Sequence, residues 1–182
     1  IGLSWHDPAI WGSRWTSDAS VTDSDDGSGW ARGLERPLYE LDARWSAGLS
    51  AESLSQVENR YALGTRVDSW RADRQAFDIH RGWSSGLRGD WTRRWTAGFR
   101  YDRARFAPAD TALVGPLPDD RTLALPYMRL DLLQDDYVTA HNLDQIGRTE
   151  DLRFGTQLSA ELGVSQAALG ANRNAFVASL GA

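Results

Sequence analysis

The chain has no cysteine and a single methionine. It therefore contains no disulfide and no thiolate metal site, and its redox compartment stays open. Lysine is missing as well, so all 20 basic residues are arginine. Against them stand 25 acidic residues, for a net charge of −5. Without a basic stripe, this balance reads as the base composition of a GC-rich coding sequence rather than as a nucleic-acid binder. No run of ~18 apolar residues occurs, which excludes a transmembrane helix. The mean hydropathy of −0.49 does not exclude a membrane barrel, whose lumen and loops are polar.

What is present is alternation. In Leu41–Ser50, Leu41, Ala43, Trp45, Ala47 and Leu49 fall on one face, opposite Asp42, Arg44, Ser46, Gly48 and Ser50. Arg94–Asp102 repeats this, with Trp95, Ala97, Phe99 and Tyr101 against Arg94, Thr96, Gly98, Arg100 and Asp102. Leu152–Gly163 sets Leu152, Phe154, Leu158, Ala160 and Leu162 against Arg153, Gln157, Ser159 and Glu161. Side chains alternate across a strand with period two, so each run predicts a sheet with one dry and one wet face. Their lengths suit a tilted transmembrane strand of roughly 9–11 residues.

Weaker strands are expected at Arg14–Asp23, Trp30–Glu35, Arg60–Asp68, Gln75–His80, Leu125–Leu133, Tyr137–Leu143 and Asn174–Leu180. Between them, Asp23–Gly29 and Ala51–Asn59 read as solvated tips, and Ser84–Arg93 as a turn. Phe106–Ala124, with Pro108, Pro116 and Pro118, reads as a long external loop. Gln166–Ala171 has the composition of one helical turn. The chain opens on the alternating Ile1, Leu3 and Trp5 and closes on Phe176, Ala178 and Leu180. The expectation is an all-β, antiparallel up-and-down meander of about eight to ten strands. It would span 1–182 as part of a larger transmembrane β-barrel, cut at both ends and unable to close by itself.

Alternation alone does not say whether the apolar face points into a core or into lipid. Two features favour lipid. The polar faces mix long charged residues (Arg44, Arg66, Arg100, Arg153, Glu161) with glycines such as Gly48 and Gly98, which suits a crowded aqueous lumen. Aromatic residues also lie near run ends (Trp5, Trp15, Tyr61, Trp95, Tyr101, Phe154), where barrels carry interfacial girdles. The lipid-facing set is thus Trp45, Trp95, Phe99, Phe154 and Leu158. The lumen-facing set is Arg44, Arg100, Arg153 and Glu161. A soluble β-sandwich using its nine tryptophans as a carbohydrate platform is the competing reading.

Three segments resemble the bacterial surface-antigen superfamily, the outer-membrane barrels of the BamA/TamA type: Gly33–Gly48, Arg93–Asp102 and Asn142–Leu152. The resemblance implies a 16-stranded barrel of a Gram-negative bacterium, preceded by periplasmic repeat domains. Such a barrel inserts or translocates polypeptides without nucleotide or metal. Its implied partners are outer-membrane lipid, client outer-membrane polypeptides, and periplasmic or inner-membrane proteins reached through domains outside this sequence. The family's Arg-Gly-aromatic loop tip has no counterpart here, since Arg81-Gly82-Trp83 lies elsewhere in the order. The terminal aromatic residue is also missing.

Catalytic chemistry is thinly represented. His6, His80 and His141 lack metal-ligand spacing, and no Gly-x-Ser-x-Gly turn occurs. Asp23, Asp25 and Asp26 lack the later ligands of a calcium loop. The expectation is a non-catalytic chain without cofactor or metal. An outer-membrane lipid hydrolase using His80 or His141 is the alternative from another class.

Overall fold

The computed structural model describes residues 1–109, 116–141, 149–153 and 155–182; for 138–141 and 149–153 it describes backbone only. The fold is all-β. Nine strands form one antiparallel sheet: β1 (Gly2–Asp7), β2 (Thr16–Ser24), β3 (Gly27–Arg36), β4 (Trp45–Ala62), β5 (Thr65–Arg88), β6 (Trp91–Pro108), β7 (Arg121–Gln134), β10 (Gln157–Ser165) and β11 (Ala175–Gly181). A separate hairpin, β8 (Tyr137–His141) with β9 (Thr149–Arg153), rises between β7 and β10. Strand order follows chain order, the sheet does not close, and β1 and β11 are its edges. The expected open meander is the fold found.

Several local expectations are corrected. β4 begins at Trp45, so Leu41–Arg44 belong to the connection from β3. Ala51–Asn59 is not a tip but the continuation of β4, and the hairpin turns at Leu63-Gly64, inside the run read as the strand Arg60–Asp68. Leu63 (φ 49°) and Gly64 (φ 79°) both have positive φ, the requirement of a tight hairpin turn whose twist matches its strands. Glycine meets it without strain; leucine does not. β5 runs 24 residues and absorbs Gln75–His80 together with much of the expected 84–93 turn, which shrinks to Gly89-Asp90. β6 extends through Pro108, and β7 starts at Arg121. The long run Leu152–Gly163 is divided: Leu152 and Arg153 pair in the small hairpin, whereas Leu158–Gly163 lie in the main sheet. One 3-10 turn, Ala167–Leu169, stands where a helical turn was expected.

The sheet is inside-out by the standard of a soluble domain. Its largest fully buried side chains are Thr92, Asp68 and Ser165, and its buried apolar residues are mostly alanine. The large apolar residues are exposed: Ile79 at 47%, Leu158 at 40% and Leu162 at 54%. Elements in substantial contact are sheet neighbours only, so among the described residues no second layer covers the apolar face.

Candidate functional site

Cross-strand register assigns every side chain of the nine-stranded sheet to one of two faces. One face carries the apolar runs and is called outward here. In one row, Trp45, Trp83 and Trp95 pair side by side and continue to Leu130, Ala160 and Leu180. Farther along the strands lies the row Leu34, Leu49, Ile79, Phe99 and Pro126. Of the expected lipid-facing residues, Trp45, Trp95, Phe99 and Leu158 all lie on this face, while Phe154 lies outside the described residues.

The apolar band drifts across the register. Leu3, Val21 and Trp30 share a row that becomes Ser53, Gln75 and Arg103 on β4–β6. At the other end, Leu132 and Leu158 share the row that is Arg93 on β6. The band thus moves diagonally from β1 to β10. Tilted strands crossing a slab of constant height require such a drift, because hydrogen-bonded rows then climb relative to the slab. On β6 the outward residues between Arg93 and Arg103 are Trp95, Ala97, Phe99 and Tyr101, whereas on the neighbouring β5 the apolar run is interrupted by Arg81, which pairs with Ala97. That interval is ~33 Å along a strand and ~25 Å high at a tilt of ~40°, the height of a barrel's apolar belt.

One border of the band is aromatic and cationic. Trp15 meets Trp45 edge-on at 6.2 Å between ring centroids. The Arg36 guanidinium lies 3.8 Å over the Trp45 ring, and that of Arg14 lies 4.0 Å over Tyr39. Arg36 also donates to the Trp45 carbonyl. Rings with an apolar body and a polar rim favour a boundary between dry and wet surroundings.

The inward face is polar and interlocked. One row reads Gly48, His80, Gly98, Tyr127 and Gly163, alternating the smallest residue with large rings. A Cβ on Gly48 would sit 2.6 Å from His80 Cε1, and one on Gly98 would sit 2.5 Å from Tyr127 Cζ. Each ring lies over the glycine of the preceding strand. The glycines hinted at in the sequence thereby acquire a reason: they are the slots into which the rings lie.

Around these rings the charges are paired. Asp78 accepts from Arg100 Nε (3.3 Å) and the Tyr127 hydroxyl (3.2 Å), and contacts His80 Nδ1 (3.0 Å). Arg100 also donates to Glu161 at 3.1 Å and lies 4.7 Å over the Tyr127 ring. Arg129 grips Asp131 through two nitrogens. Arg100 and Glu161, both expected toward a lumen, are brought together on this face. Arg44 is not in that row: it precedes β4 and donates to the Ser85 carbonyl. Arg153 lies on β9, outside the nine-stranded sheet. Asp78, Tyr127 and Arg129 were missed by sequence reasoning; a polar residue at alternate positions of a strand is a signal too common to single them out.

Of the histidines, His6 contacts Asp18 at 2.6 Å on an exposed surface, and His80 belongs to the network above. Among the described residues no group of three metal-ligating side chains occurs, and Asp25 and Asp26 form the short β2–β3 turn. No family model, curated protein or solved structure matches this chain.

Proposed function

We propose that this chain is a wall segment of an outer-membrane β-barrel that inserts or translocates polypeptides, acting by shape and backbone pairing rather than by catalysis. The observation that supports a membrane wall is the uncovered apolar band, drifting diagonally across the register and bordered by tryptophan and arginine. The transport role is supported by the resemblance of Gly33–Gly48 and Arg93–Asp102 to assembly barrels. Strand edges and a polar interior are what such a barrel uses to pair with an unfolded client.

The absence of cysteine makes the wall directly testable. Single-cysteine variants at positions 95 to 97 and 99 to 102, spin-labelled in the full protein in bilayers, are expected to alternate with period two. Labels at 95, 97, 99 and 101 should favour oxygen dissolved in the lipid. Labels at 96, 100 and 102 should favour a water-soluble paramagnet; position 98 is left as glycine. Equal water access on both faces would overturn the wall reading.

A hydrolase reading has one observation in its favour, the Asp78–His80 pair, which resembles a base and the group that orients it. His80 faces inward, however, away from the apolar band on which a lipid ester would lie. His80→Ala in the full-length protein is therefore expected to leave client insertion by the folded barrel largely intact, whatever it costs in stability by emptying the slot over Gly48. Loss of all activity with the barrel still folded would favour the hydrolase.

A further inference from the structure

The two faces of the sheet differ in charge as well as in polarity. On β5 and β6, between Arg71 and Arg105, the outward charged side chains are Arg71, Arg81, Arg88, Arg93, Arg103 and Arg105, against the single acid Asp73. The inward face of the same stretch carries Asp78 and Asp102 with Arg74, Arg94 and Arg100. In the nine-stranded sheet, among the described residues, no glutamate points outward; Glu35, Glu52, Glu58 and Glu161 all point inward. An acidic chain thus turns its surplus of positive charge toward the side that carries the apolar band.

The arginines concentrate just past the aromatic edge formed by Phe77 and Tyr101. Arg103 pairs with Gln75, Arg105 pairs with Asp73, and Arg71 stands one register step beyond, opposite Ala107. Outward neighbours along one strand are ~7 Å apart, and diagonal neighbours across a pair are ~7–8 Å apart. Three guanidinium groups on flexible stems can therefore converge on one phosphate. Arginine is suited to that task because its planar fork donates two parallel hydrogen bonds to phosphate oxygens. Serines outward on the neighbouring β4, Ser53 and Ser55, add hydroxyl donors at the same height, and Arg71 already reaches Ser55 Oγ at 3.4 Å.

We propose that Arg71, Arg103 and Arg105 form a binding site for the phosphate headgroup of an anionic membrane lipid, whose chains lie along Phe77, Ile79, Phe99 and Tyr101. The proposal rests on the membrane-wall reading. Its charge complementarity is specific: the site sits where an acyl chain packed on the apolar rows would place its headgroup. Asp73 is the one opposing charge, and it sets an upper limit on affinity.

The full protein is reconstituted into vesicles of phosphatidylcholine alone and of phosphatidylcholine mixed with phosphatidylglycerol, and the lipid retained after detergent extraction is identified by native mass spectrometry. Wild type is expected to retain phosphatidylglycerol over phosphatidylcholine. The variant R71Q/R103Q/R105Q should lose that preference by about fivefold per arginine removed, while inserting into both vesicles as well as wild type. Asp73→Asn should raise the preference, and inorganic phosphate at the same concentration should not displace the lipid. A preference unchanged in the triple variant, or one abolished by inorganic phosphate, would overturn the lipid site with the wall reading intact. Failure of wild type to insert into either vesicle would instead overturn the wall reading, and the lipid site with it.

Discussion

Ala97→Arg is expected to destabilise the folded protein in bilayers by about 2–4 kcal/mol. Ala97 lies outward between Trp95 and Phe99, at the middle of the interval from Arg93 to Arg103. Its register neighbours are Arg81 and Met128, so a second guanidinium there would face a like charge as well as the belt interior. Leu158→Arg should cost less, about 0–1 kcal/mol, because Leu158 is the first outward residue of β10 and stands at the end of that strand's apolar run. There a long side chain can reach the headgroups. Arg100→Ser removes the cation between Asp78 and Glu161, but the Arg100 side chain is 41% exposed. Solvent screening then limits the loss to about 1–2 kcal/mol. Urea unfolding in lipid vesicles measures all three. A97R equal to or milder than R100S would contradict the assignment of the apolar face to lipid.

Gly98→Val should cost about 2–3 kcal/mol through overpacking. The first added carbon already falls 2.5 Å from Tyr127 Cζ, and the strand backbone beneath cannot retreat without breaking the pairs with β5 and β7. The ring must swing away, giving up its hydroxyl bond to Asp78 and its stacking under Arg100. Combining G98V with Tyr127→Ala should restore about 1 kcal/mol or more relative to additivity, the coupling expected of residues in contact. Gly33→Ala is the control: its added carbon would meet only Asp18, at 3.8 Å or more, and should cost little. Additive behaviour of G98V and Y127A would mean that the ring does not occupy the glycine slot.

Strand identity was legible in the sequence wherever one face is apolar and the other polar. Trp45–Ser50, Arg94–Asp102 and Leu158–Gly163 alternate between apolar and polar or small side chains, and all three lie in strands whose apolar residues share one face of the sheet. Ala51–Asn59 was misread for the same reason inverted. Beyond the band both faces of β4 are polar, so period two vanishes although the backbone pairing with β5 continues. The Leu63-Gly64 turn escaped notice because leucine is an unfavourable residue for a positive φ, and the surrounding pairing enforces it there.

The sequence by itself determined an antiparallel meander and, inside the strands it bounded correctly, which residues share a face, since both follow from local alternation and turn chemistry. Only the tertiary structure decided register. Register places Asp78, Arg100, Tyr127 and Glu161 in one network, although they are scattered over four strands. It sets Tyr127 over Gly98 and His80 over Gly48. It also groups Arg71 with Arg103 and Arg105 past the edge of the band. The β8–β9 excursion lets β7 pair with β10, and no pattern in either strand encodes that partner. The physical reason is range: alternation is a property of neighbouring residues, whereas register balances hydrogen bonds and side-chain fits between segments tens of residues apart.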